Sequence, residues 1–274
     1  MSQMYGTAID QAPKAPARLP MTLARRVALV LGVPVCLLVI ASTAFSLVSH
    51  LGKGTIGVRY QVPADATRLT VTTSGGDVVL RQAASGTGTL TGTGYYSLIG
   101  PHITHSVTAG HAFFNYRCAL GFVDCGLNAT VSVPHGKSVS VSTDGGNVTA
   151  SGVAGDINLS TGGGDVTAVG MAGVVSFDTG GGNIRGTAIT APQLTADTGG
   201  GDVEITFTSV PRDVQVSTGG GDITIIVPRG ETVYHVTTTT GGGDIHDSVP
   251  SGNSSQHVIT ATSGGGDITI RQAP

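Results

Sequence analysis

One corner, repeated eight times, constrains this chain more than anything else in it. Asp77, Asn147, Asp165, Asn183, Asp202, Asp222, Asp244 and Asp267 are each preceded by two glycines, and from Asn147 onward they stand 18, 18, 19, 20, 22 and 23 residues apart. A near-constant period of this length marks a stacked array in which each copy is one supersecondary unit. The flanks show what the unit contains. One and three positions after the anchor come apolar pairs such as Val78/Leu80, Val166/Ala168, Val203/Ile205 and Ile268/Ile270. Eight and six positions before it come Leu69/Val71, Val139/Val141, Ile157/Leu159 and Val214/Val216. Alternation with period two is strand, buried on one face, and the intervening Ser, Thr, Asn and Gln meet water on the other. Pro63, Pro134, Pro192, Pro211, Pro228 and Pro250 mark the bend before the first strand of a copy, because proline cannot donate to a sheet ladder. The predicted fold is all-β, a parallel β-helix or solenoid. Its Asp and Asn anchors serve as structural turns, with the glycines expected to supply backbone angles closed to other residues.

Composition agrees with that fold and removes other classes. Forty-three glycines imply either disorder or a regular array, and 39% apolar residues with a net charge of -3 favour the array. An aromatic content of 4% and no Trp suit a narrow core of Val, Ile, Leu and Ala. Without a basic face there is no electrostatic footprint for nucleic acid.

Val27 to Val48 carries no charged residue. As a helix it would extend roughly 33 Å, enough for a hydrocarbon core of about 30 Å. Pro34 within it is tolerated in a bilayer helix. Lys14, Arg18, Arg25 and Arg26 precede the span and only Lys53 and Arg59 follow closely, which places the N-terminus in the cytoplasm. The expected organisation is a cytoplasmic Ala/Pro-rich tail over 1–26, a single transmembrane α-helix over 27–49, a linker and first strand over 50–66, and an extracytoplasmic solenoid over 67–274. A cleaved signal peptide is the competing reading, since Ala44 and Ser46 have cleavage-like spacing, although the long leader and long apolar run oppose it. A lipid anchor at Cys36 fits less well, because Pro34 and Val35 precede it where small residues belong.

With Thr-Gly-Gly-Gly-Asp-Val/Ile corners at Thr161–Val166, Thr198–Val203, Thr218–Ile223 and Thr240–Ile245, the chain resembles the bacterial putative-adhesin family of β-strand repeats, over about Thr67 to Ile270. The resemblance implies a right-handed parallel β-helix of the cell envelope. It brings no catalytic residues.

The interval of 70 positions from Asp77 to Asn147 breaks the period, so an irregular insertion is expected at about 90–132. It holds Tyr95, Tyr96, Phe113, Phe114, Tyr116 and Phe122, a candidate contact surface, because loops on rigid scaffolds carry binding residues. Cys118 and Cys125 are expected to form a disulfide in an oxidising compartment. His102, His105 and His111 are metal candidates of last resort, for their spacing with the thiols matches no zinc pattern. Calcium at the corners is disfavoured by a repeat about twice the nonapeptide length and by the neutral Asn anchors.

Asp178 and Asp197, one coil apart, are the nearest approach to paired catalytic carboxylates, and Arg185 and Glu204 are a second cross-coil pair. Surface ion pairs or isolated charges explain both. Thr149, Thr167, Thr224 and Thr269 form an outer Thr row, a flat ligand face or simply favourable strand residues. The function read from these features is that of a non-enzymatic, membrane-anchored, adhesin-like envelope protein without cofactor or metal. Its expected partners are the membrane, an envelope glycan or protein, and other copies through stacking. The alternatives are an envelope-stress or assembly scaffold acting by solenoid stacking and, less favoured, a polysaccharide-active β-helix enzyme.

Overall fold

The computed structural model describes residues 23–51, 53–84, 86–119 and 124–274. The chain divides into two compact units, 1–48 and 49–274. The first contains most of helix α1 (Leu23–Leu51), with Pro34 inside it. Its described side chains, 31–47, are all exposed, and Cys36 is a free thiol. Among the described residues no helix is long and apolar enough to cross a membrane. The tail as far as residue 22 lies outside the described residues.

The second unit is all-β, two sheets in which parallel pairing dominates. It opens with β1 (Lys53–Val62), β2 (Arg68–Thr73), β3 (Val78–Gln82), β4 (Gly88–Ser97), β5 (His102–Thr108), β6 (His111–Arg117) and β7 (Cys125–Val133). Five regular coils follow, each a strand, a glycine corner and a second strand. They are β8 (Ser138–Thr143) and β9 (Val148–Ser151), β10 (Ile157–Thr161) and β11 (Val166–Val169), β12 (Val174–Thr179) and β13 (Ile184–Ile189), β14 (Gln193–Thr198) and β15 (Val203–Phe207), and β16 (Asp213–Thr218) and β17 (Ile223–Val227). The last two coils are β18 (His235–Thr240) with β19 (Ile245–Asp247), and β20 (Val258–Ser263) with β21 (Ile268–Gln272).

Order in space departs from order in sequence at both ends. One sheet runs β1-β4-β7-β3-β9-β11-β13-β15-β17-β21-β19 and the other β18-β20-β16-β14-β12-β10-β8-β2-β6-β5. The β20/β21 coil therefore wedges between β16/β17 and β18/β19, and the β2/β3 coil lies between β8/β9 and β6/β7. The stretch expected to be irregular is instead strand, since β4 and β7 extend one sheet and β5 and β6 the other. Its departure from the rest lies in direction: β4 pairs antiparallel with both β1 and β7, and β5 antiparallel with β6.

The core consists of columns running along the stack. Val78, Val148, Val166, Ile184, Val203, Ile223 and Ile268 form one, Leu69, Val139, Ile157, Val175, Leu194, Val214 and Ile259 another, and all are buried. Within a coil the other two inner positions trade volume. Phe177 is matched by Gly186, Leu159 by Ala168 and Ala196 by Ile205, so the cross-section stays filled without overpacking.

The corners are joined by two hydrogen-bond ladders. In the first, each anchor's backbone N–H donates to the anchor carboxylate or amide oxygen of the next coil. The series runs Asp77 to Asn128, Asn147 to Asp77, Asp165 to Asn147, Asn183 to Asp165, Asp202 to Asn183, Asp222 to Asp202, Asp267 to Asp222 and Asp244 to Asp267, at 2.7–2.9 Å. In the second, a buried hydroxyl four positions before the anchor donates to the carbonyl of the last corner glycine of the next coil. Examples are Thr161 to Gly146 at 2.7 Å, Thr198 to Gly182 at 2.8 Å and Ser263 to Gly221 at 2.9 Å.

The glycines are required here for a reason other than the one expected. Of the glycines that precede the anchors, only Gly75 and Gly76, in the first corner, have φ in the left-handed region, at 125° and 87°. In the later corners the first and third glycines face the neighbouring backbone. A Cβ on Gly164 would overlap the Gly146 carbonyl, and one on Gly180 the Gly162 carbonyl. The middle glycines Gly163, Gly181, Gly200 and Gly220 have nothing within 4 Å of such a Cβ. Close backbone approach, rather than backbone angle, selects glycine at the outer two positions.

Candidate functional site

Of the eight predicted turn residues, all sit in the anchor ladder, and the structure adds a ninth, Asn128. Asn128 follows Gly126 and Leu127 instead of two glycines, so the motif hides it; only Ala129 and Val131, one and three positions later, signal its place. In spatial order the ladder alternates Asn128, Asp77, Asn147, Asp165, Asn183, Asp202 and then runs Asp222, Asp267, Asp244. One oxygen of each anchor except the terminal Asp244 accepts a backbone N–H, so these groups bind the stack to itself.

The Ser and Thr rows elsewhere on the outer faces are broken by two charged pairs. Arg185 and Glu204 are aligned across adjacent strands and form an ion pair, with Arg185 Nε 3.1 Å from Glu204 Oε2. Asp178 and Asp197 are likewise directly opposed, and Ser160 Oγ donates to Asp178 at 3.3 Å. Burial, then the Asp178 charge, pushes the Asp197 carboxyl above its ordinary range. Ser160 and Ser142 continue that row on the Asp178 side and Ser217 on the Asp197 side.

Six aromatic side chains, Tyr60, Tyr95, Tyr96, Phe113, Phe114 and Tyr116, come from the strands at the β1/β5 end. Tyr60 from β1 lies 5.2 Å from the His105 ring and 6.1 Å from Phe114 between centroids, and so closes the core where the coils begin. Phe114 and Tyr116 are fully buried. Tyr116 fits over Gly94, where a Cβ would stand 2.6 Å from its hydroxyl oxygen, and that hydroxyl donates to the Tyr95 carbonyl at 3.3 Å. Burial, with Tyr95 and Tyr96 adding to it, pushes the Tyr116 hydroxyl up to about 12. Two of the six aromatics predicted as a contact surface are therefore core, whereas Tyr95 and Phe113 are exposed and Tyr96 half-buried. Phe122 lies outside the described residues.

Cys118 and Cys125 are joined by a disulfide that closes the passage from β6 to β7, with Cα atoms 6.0 Å apart. The histidines are not brought together: His102 pairs with Arg117 at one end of the β5/β6 ladder, His111 with Thr108 at the other, and His105 packs on Tyr60. Among the described residues no group of His, Cys, Asp and Glu could hold a metal.

One cleft of about 500 Å³ opens beside the disulfide end, lined by Lys53, Thr55, Tyr95, Tyr96, Ser97 and Asp124. Lys53 Nζ and Asp124 Oδ2 are 3.3 Å apart at its rim. Ser97 is 1% exposed, and its hydroxyl has no hydrogen-bond partner. Sequence reasoning selected the tyrosines and missed Lys53, Thr55, Ser97 and Asp124, because β1 and β4 become neighbours only through antiparallel pairing.

Residues 43–271, most of the chain, match the Toastrack DUF4097 family. The chain belongs to that family. No curated protein matches this Toastrack DUF4097 protein. Its fold is similar to solved structures that cover 80% of it. A "putative adhesin" from Bacteroides fragilis is 17% identical, with 97% of that chain covered and a TM-score of 0.42. A "putative adhesin" from Parabacteroides distasonis is 12% identical, with 97% covered and a TM-score of 0.40. A "putative cell adhesion protein" from Clostridium sporogenes is 13% identical, with 100% covered and a TM-score of 0.35.

Proposed function

We propose that this chain is a non-enzymatic, single-pass envelope protein, its N-terminus cytoplasmic, that holds a rigid solenoid outside the membrane as an adhesin-like interaction surface. The observation that carries the reading is the Cys118–Cys125 disulfide set beside the cleft and the exposed rings of Tyr95 and Phe113. Disulfides persist in oxidising compartments, and aromatic side chains on a rigid frame favour contact with sugars and proteins. The uncharged run from Val27 to Val48, with its basic residues on the N-terminal side, supports anchoring and orientation.

The stacking alternative meets opposition at the β18/β19 end. There β19 has three residues, and Asp247 occupies the position that Ile270 fills with a buried side chain one coil inward. A short edge strand with an inward-placed charge is a guard against edge-to-edge association. The enzyme alternative has only the Asp178/Asp197 pair in its favour.

Deleting 95–125 would not test the interaction surface, because that stretch supplies strands to both sheets. Substituting Tyr95→Ser and Phe113→Ser leaves both ladders intact. The full chain should retain fragmented envelope material on a resin and the double variant should lose most of it; equal retention would refute the reading. Protease added to intact cells should digest the solenoid and spare a tag on residue 1, and the reverse pattern would refute the orientation.

A further inference from the structure

We propose that the cleft beside the disulfide is a binding site for a neutral sugar ring. The inference rests on the envelope-interaction reading above and names the chemistry that reading leaves open. Three features of the cleft converge on this ligand.

Charge comes first. Lys53 and Asp124 neutralise one another at the rim. An anionic ligand would be drawn to Lys53 and repelled by Asp124, and a cationic one the reverse, so an uncharged ligand is the one that both groups can serve. A carboxylate accepts two hydroxyl donors and an ammonium donates to hydroxyl oxygens, which is the complement of a vicinal diol.

Unspent hydrogen bonding comes second. Ser97 is buried, yet its hydroxyl is unpartnered in the cleft wall, and Thr55 brings a further hydroxyl from the adjoining strand. Buried hydroxyls in native proteins are nearly always paired, so an unpaired one on a cleft-lining residue leaves a hydrogen bond still to be made beside the cleft.

Preorganised rings come third. Tyr96 lies against Gly54, where a Cβ would stand 2.5 Å from its ring, and Tyr95 lies against Gly126, where a Cβ would stand 2.5 Å from its hydroxyl oxygen. Glycine opposite each ring lets it rest on the neighbouring strand. The rings are fixed before any ligand arrives, and a flat aromatic surface beside polar groups suits the C–H face of a pyranose. A cleft of about 500 Å³ is within the range of small-ligand sites.

The test uses the full chain in detergent micelles and in phosphatidylcholine nanodiscs. One arm titrates chitotetraose and maltotetraose, read by tyrosine emission, which no Trp obscures. The other arm measures association with phosphatidylcholine vesicles containing a galactosyl diacylglycerol against plain vesicles. Saturable binding in the first arm assigns a free glycan, and binding confined to the second assigns a glycolipid headgroup. In either case Asp124→Asn and Tyr95→Ala should weaken binding at least tenfold, while Thr130→Ala on the open sheet face should leave it within twofold. Asp124 has 74% of its side chain exposed, so its substitution reads the site without disturbing the core. Absence of binding in both arms, or unchanged affinity in Asp124→Asn, would overturn the site. Envelope retention that persists in that case would leave the broader functional reading standing, and its loss from the intact chain would bring down both.

Discussion

Adjacent glycines in one corner should respond in opposite directions to the same substitution, and Gly163 and Gly164 make the sharpest case. A Cβ on Gly164 would come well under 3.0 Å from the carbonyl of Gly146 and its amide carbon. That atom cannot swing aside, because it belongs to the backbone of the next coil and accepts the Thr161 hydroxyl at 2.7 Å. Relief requires the two corners to part by close to an ångström. The parting strains that bond and the Asp165 N–H to Asn147 bond at 2.9 Å. At about 0.5–1.5 kcal/mol for each net hydrogen bond, Gly164→Ala should cost about 1–3 kcal/mol. Gly163 has open space where its Cβ would go and no left-handed φ. Gly163→Ala should therefore stabilise by about 0.4–1 kcal/mol, by narrowing the unfolded ensemble. Urea titration of residues 49–274, the larger compact unit, followed by circular dichroism, measures both. Similar midpoints for the two variants, or a Gly163→Ala chain less stable than Gly164→Ala, would refute the close-approach account of the repeat.

Asp222→Asn with Asp244→Asn would extend the Asn/Asp alternation through the last rungs, and should raise the melting temperature at low salt with the gain shrinking as salt is added; like charges opposed across strands cost about 0.2–1 kcal/mol. Asp197 has its carboxyl raised by burial and by Asp178, so the folded state holds its proton to higher pH than the unfolded state does. Its contribution is thus lost as pH rises through the folded value, and Asp197→Asn should stabilise at pH 7 with no gain at pH 3, as read by thermal melts at both. Burial also raises the hydroxyls of Tyr60, Tyr116 and Tyr234, so stability should be flat up to about pH 10 and fall toward pH 12, with tyrosinate absorbance appearing together with unfolding. Replacing Cys118 and Cys125 by Ser should cost about 2.5 kcal/mol from the short loop they close, measured by denaturant midpoint.

The coil itself was legible in the sequence because its physics is local. Inner positions such as Val203 and Ile205 repeat at fixed offsets from Asp202, and a one-residue slip would put them in water. The candidate site was only partly legible. Tyr95 and Tyr96 could be found as aromatics in a gap, but whether a given ring is core or surface depends on which strand lies opposite. Gly94 admits Tyr116 to the interior, and Gly54 and Gly126 seat Tyr96 and Tyr95 in the cleft. Those pairings join residues distant in sequence through antiparallel strands that the period does not describe.

The order of coils was not legible, and the ladders explain why. Every corner from Asp77 onward offers its neighbours the same groups: an anchor N–H, an anchor oxygen, a glycine carbonyl and a Thr or Ser hydroxyl. Asp222 accepts from Asp267, 45 residues on, with the same geometry that Asp202 uses to accept from Asp222, 20 residues on. Rung chemistry is thus degenerate, and adjacency must be set by what the connecting segments can span. The longest spacings in the regular series, 22 and 23 residues, fall on the two coils that exchange places. To reach the outer slot the chain passes over one vacant rung, about 4.8 Å deeper than an ordinary step, and it must step back afterwards to fill that rung. The extra residues in 228–234 and 248–257 supply that reach. The same rule covers the other end, where the interval of 70 positions from Asp77 to Asn147 encloses a coil that returns to the far side of β2/β3. In a solenoid with interchangeable rungs, lengthened spacing is the trace that exchange leaves in the sequence.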